Sequence, residues 1–109
     1  MTDNRLHKPL IGMLCWEEGC SPRGLAQLEM LPGNSTNPET FDFPISYHRI
    51  KGATIHTILE NPCRNVLRSM IGEARRMENQ GIRAITTSCG FNAIFQRELA
   101  DAVRVPVFT

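Results

Sequence analysis

The chain has 109 residues, is 41% hydrophobic and 21% charged, and carries a formal charge of +1. That length suits one domain with its own core, and the composition excludes a disordered tail or a fibrous repeat. Twelve basic residues against eleven acidic ones leave no positive stripe for nucleic acid, and no apolar run approaches the ~20 residues of a membrane span.

The N-terminus, Met1 to Lys8, is polar and has no signal-peptide core behind it, so a cytoplasmic protein with reduced thiols is expected. Pro9 to Cys15 reads as a buried strand. Ser21 and Pro22 then supply an N-cap and a first helical residue, with Leu25 and Leu28 spaced for one face of a short helix in an otherwise long loop. Pro32-Gly33-Asn34 is a turn. Phe41, Phe43, Ile45 and Tyr47 alternate with polar neighbours and predict a strand, which Pro44 marks as a start or an edge. Ile55, Ile58 and Leu59 give a short connection of undetermined type.

The clearest helix is predicted from a cap at Asn61 and Pro62, through Val66, Leu67, Met70, Ile71, Ala74 and Met77, to a stop at Gly81. Ile82 to Thr87 is the next strand. Asn92 to Val103 is the next helix, and Val105 to Phe108 begins a last strand. Strands alternating with helices at this spacing predict an α/β fold with a parallel sheet of about four strands.

In such a sheet, ligands bind beyond the carboxyl ends of the strands. Thr87-Ser88-Cys89-Gly90-Phe91-Asn92 lies at such an end, ahead of a helix. Amides at a helix start favour a thiolate and also hold carboxylates. Gly90 permits close approach, and Thr87, Ser88 and Asn92 are suitable donors. From spacing alone, Cys89 is either an activated thiol or a small residue in a tight turn. Cys15 ends a strand and reads as core packing, Cys63 starts a helix away from the rim, and Cys20 lies in the long loop without an evident partner. No CxxC pair occurs and no His follows Cys20 within ten residues, so neither a metal nor a disulfide framework is expected. His7, His48 and His56 are scattered, and their spacing supports no Ser-His-Asp or Cys-His set.

Three stretches carry a family resemblance. Gly33-Asn34 followed by Asn37-Pro38-Glu39-Thr40-Phe41-Asp42-Phe43-Pro44-Ile45 and Lys51-Gly52-Ala53 is the first. Gly81 to Phe91, with its Cys-Gly-Phe turn, is the second. Phe95-Gln96, Leu99-Ala100 and Val105-Pro106-Val107 form the third. Together they resemble the N-terminal half of aspartate/glutamate racemase-like proteins, the group that includes hydantoin racemases. The resemblance implies two similar α/β lobes, no cofactor, and one cysteine from each lobe. Those cysteines exchange a proton at the carbon next to a carboxylate in an amino or carboxylic acid. Cys89 matches the first of them, and Thr87, Ser88, Gly90, Phe91 and Asn92 match the turn that binds the substrate carboxylate. Glu17, after Cys15-Trp16, takes the place of an acidic residue found at the end of the first strand in many relatives. Only the first half is represented, so a homo-oligomer or a second domain is expected to supply the rest. A non-catalytic half that binds a small carboxylate or a partner subunit is the alternative, and a single-thiol enzyme using Cys89 as nucleophile is a third.

Overall fold

Strands β1 (Ile11–Trp16), β2 (Ile45–Ile50), β3 (Ala84–Thr87) and β4 (Val107–Phe108) form one parallel sheet in the order β2-β1-β3-β4. This is seen in a computed structural model, which describes residues 8–19 and 21–109. Helices α1 (Pro22–Glu29), α2 (Arg64–Asn79) and α3 (Gln96–Ala102) flank the sheet. The α/β class and the four parallel strands agree with the sequence reading. No helix among the described residues is long and apolar enough to cross a membrane. The polar segment Met1 to His7 and Cys20 lie outside the described residues.

Alternation along β1 sets Leu14 and Trp16 on one face and Met13 and Cys15 on the other. The first face carries the main core, in which Leu14, Ile50, Ile85 and Val107 of the sheet meet Val66, Leu67, Met70, Ala74 and Met77 of α2 and Leu99 of α3. Gly12 leaves room there for the tip of Met77. A Cβ at that position would lie 1.9 Å from Met77 Cε, so the Met77 side chain of α2 lies against the strand at this point and would have to move for a larger residue.

Ser21 caps α1 as its chemistry predicts, its Oγ accepting the Gly24 N–H at 3.0 Å. The next loop is closed by its own side chains. Asn34 Oδ1 accepts from the Thr36 N–H at 2.9 Å, Asn37 Oδ1 accepts from the Glu39 N–H at 2.9 Å, and Thr40 Oγ1 accepts from the Gly33 N–H at 2.8 Å.

Besides shifts of one or two residues at the ends of β1, β3 and β4, three boundaries differ from the sequence reading. The second strand starts at Ile45, not Phe41, because Pro44 has no N–H to place in the ladder. Phe41 and Phe43 precede it as a tilted aromatic pair, 5.6 Å apart. Helix α2 starts at Arg64, not at Asn61-Pro62. Asn61 precedes a proline and lies outside the helical region (φ −143°, ψ 85°), from which that neighbour excludes it. Its N–H closes the wide turn His56–Glu60, and Cys63 N–H still bonds back to Thr57 O at 2.7 Å. Finally, the helix expected over Asn92–Val103 is two pieces, a 3₁₀ segment Gly90–Phe95 and then α3.

Candidate functional site

The sheet order reverses at β1, whose neighbours β2 and β3 are reached by connections running in opposite directions. A crevice outside the carboxyl ends of two such strands is the usual ligand position in this class of sheet. Trp16 ends β1 and the segment Ser88–Asn92 follows β3, so both flank that point.

The two strand ends are locked together. Ser88 N–H continues the ladder to Leu14 O at 3.0 Å, and Ser88 Oγ accepts the Trp16 N–H at 3.4 Å. Asn92 is wholly buried. Its Oδ1 accepts the Trp16 indole N–H at 3.2 Å and its Nδ2 donates to Cys89 O at 2.9 Å. Cys89 O also accepts from Asn92 N–H and from Thr87 Oγ1, each at 3.1 Å. Three donors on one carbonyl fix the Cys89 backbone, and the thiol is half-buried against the core. The Phe91 ring stacks on Trp16 with centroids 6.4 Å apart and leaves half its surface exposed, forming an aromatic wall beside the turn.

The predicted residues thus divide. Cys89, Gly90 and Phe91 form the outward part of the turn, and a Cβ at Gly90 would meet nothing within 4 Å. Thr87 and Asn92 direct their side chains into the turn itself. Glu17 serves the neighbouring loop. Its carboxylate accepts the N–H of Gly52, a residue at φ +83°, and its own N–H donates to Ala53 O at 2.8 Å. The Trp16–Asn92 link was not legible beforehand, because 76 residues separate the partners.

A separate recess of about 220 Å³ lies between the segment after β1, Arg49 of β2 and α1, lined by Glu17, Glu18, Leu25, Ala26, Glu29 and Arg49. Among the described residues its lining has no thiol, and Glu29 is paired with Arg49. The Cys89 turn is therefore the stronger candidate for proton chemistry. Among the described residues, no three His, Cys, Asp or Glu side chains come together to hold a metal ion.

Cys15 contrasts with Cys89. It is buried on the second face of the sheet, and burial pushes its thiol up from 9.0 to about 11, against the opposing pull of Arg49. In the unfolded chain this thiol ionises near 9, while the native protein keeps its proton to about 11. Its contribution to stability is therefore complete below pH 9 and is lost as pH rises toward 11. The expected slope is about 1.4 kcal/mol per pH unit at most. Urea titrations of the protein and of Cys15→Ala between pH 8 and 11 should diverge in that window; parallel curves would refute the assignment.

Comparison with protein-family models, with curated proteins and with solved structures finds no match to this chain.

Proposed function

We propose that this chain is one lobe of a cofactor-independent racemase or isomerase acting on a small amino or carboxylic acid. Cys89 is one of two thiols that move a proton at the carbon beside the carboxylate. The observation supporting this most is the position of Cys89, half-buried past the carboxyl end of β3 where the sheet order reverses, on a backbone held by three hydrogen bonds. The motif resemblance is independent of that geometry. Ser88, Gly90 and Phe91 hold the substrate carboxylate, with Thr87 and Asn92 shaping the turn. Glu17 acts indirectly, by ordering the loop beyond β2. The second thiol comes from another domain or from a second copy in the cytoplasm, docking over the half-exposed Phe91 and Ile94.

A second reading is favoured by one observation. The Thr87 and Asn92 side chains are committed to the turn, as a lobe that only binds a carboxylate or a partner would tolerate. Proton exchange separates the two. The protein is incubated in D₂O with both enantiomers of aspartate, glutamate and smaller amino acids, and loss of the Cα proton is followed by NMR. A single thiol that takes and returns the proton on one face gives deuterium incorporation with retention, and a pair gives inversion. Cys89→Ala is expected to lower either rate about 10²-fold or more. An unchanged rate in that variant would refute the assignment, and binding without exchange would favour the second reading.

A further inference from the structure

Ser46 and His48 are two residues apart on β2 and so project from the same face of the strand. Helix α2 crosses that face and brings Glu73 to them. Ser46 Oγ lies 2.6 Å from His48 Nε2, and His48 Nδ1 lies 2.7 Å from Glu73 Oε1. The other Glu73 oxygen accepts Arg76 Nε at 3.0 Å and Arg76 Nη2. Burial alone would push the Glu73 carboxyl up, but hydrogen bonds from Arg76 and His48 outweigh it and hold the group below the usual carboxylate range.

These contacts settle the direction of the hydrogen bonds. An ionised carboxylate only accepts, so His48 Nδ1 carries a hydrogen. In the neutral ring Nε2 is then the acceptor, and the Ser46 hydroxyl is the donor. This is the order of groups that turns a serine into a nucleophile: hydroxyl, imidazole Nε2, imidazole Nδ1, carboxylate. The row keeps partial access to solvent. The His48 and Glu73 side chains are 19% and 21% exposed, Ser46 is half-buried, and β2 is an edge strand among the described residues. It is also remote from the proposed thiol. Ser46 stands opposite Gly12, toward the amino end of the sheet, whereas Cys89 lies past the carboxyl end.

We propose that Ser46 is a second reactive centre in this protein, a nucleophile for the hydrolysis of small carboxylic esters. His48 is its general base and Glu73 the residue that positions the imidazole. Ser46 Oγ attacks the ester carbonyl carbon while its proton passes to His48 Nε2, and the carbonyl electron pair moves onto oxygen. Collapse re-forms the carbonyl and breaks the bond to the alkoxide, which takes the proton from His48. Water then attacks the acyl-serine with the same base, releasing the acid and restoring Ser46. The net reaction is ester plus water to acid plus alcohol, and it needs no cofactor or oxidant. This centre stands or falls independently of Cys89.

The test is an alkyl fluorophosphonate on the full chain. Attack by Ser46 forms an Oγ–P bond, breaks P–F, and releases fluoride and the proton. Peptide mapping is expected to place a single adduct on Ser46, absent from Ser46→Ala and from the urea-unfolded protein. Release of p-nitrophenol from p-nitrophenyl acetate should follow the same pattern. Glu73→Gln should slow labelling about 10²-fold, and Glu73→Asp should recover part of that rate, which loss of a merely structural contact would not predict. Ser69→Ala, on the exposed face of α2, should label like the parent. An adduct on another serine, equal labelling of the unfolded chain, or a folded parent with no adduct on Ser46 would each overturn the proposal. The mapping of the parent protein decides even where a variant fails to fold.

Discussion

Asn92→Ala is expected to lower stability by about 2–4 kcal/mol and to free the Cys89 turn. Asn92 is wholly buried and joins two strand ends, taking the indole N–H of Trp16 and donating to Cys89 O. Alanine leaves the Trp16 donor without its partner at a buried position, which by itself costs about 1–3 kcal/mol. The small cavity and the loss of one of the three bonds on the Cys89 carbonyl add to that. Against a total stability of roughly 5–15 kcal/mol for a domain of this kind, such a loss is large. The protein has one tryptophan, so its fluorescence reports the site directly. The urea midpoint should fall and the native emission shift as the indole loses its partner. Alkylation of Cys89 in the folded variant should change with the turn. A loss below about 0.5 kcal/mol, with unchanged emission, would show that Asn92 is a passenger in this turn.

Leu14→Ala should cost about 2–5 kcal/mol, the range for emptying a fully buried leucine position. Leu14 sits in the central strand, aligned with His48 on one side and Thr87 on the other, and packs into the cluster shared with α2. The damage should extend to the site, because Leu14 O accepts the Ser88 N–H that starts the turn. Leu28→Ala on α1 is the matched control. Leu28 is half exposed, so the change should stay within about 0.5 kcal/mol. Equal losses for the two leucines would contradict the placement of the core on the α2 face.

Much of this architecture is local information. The 3.6-residue period through Val66, Leu67, Met70, Ala74 and Met77 marks α2, and these residues are its buried set, with Ile71 of the same stripe half-buried. Ser21 and Pro22 mark the start of α1 because a cap needs only the residues that follow it. Gly81, at φ +100°, ends the segment after α2 because its neighbours are all within one turn. The alternation of strands and helices predicts a parallel sheet, and a parallel sheet is present. In each case the determining atoms lie within a few positions of one another along the chain.

Other features depend on distant partners. Asn92 reads from spacing as the start of a helix and a ligand donor. Folding instead places it under Trp16, where both ends of its amide are engaged and the backbone runs as a 3₁₀ turn. Glu17 looks like a site acid at the end of β1, and the loop after β2 takes its carboxylate for the Gly52 N–H. The histidines look scattered, yet the period of a strand puts Ser46 and His48 on one face, and α2 delivers Glu73 from 25 residues away. The sequence by itself determined the four strands, α1, α2, their order and the rim position of Cys89, because propensity, capping and periodicity act over one or two turns. Only the tertiary structure decided which polar groups face a ligand and which are consumed within the protein. A buried donor or acceptor must find a partner wherever the sheet register brings one, and that register is a property of the whole fold.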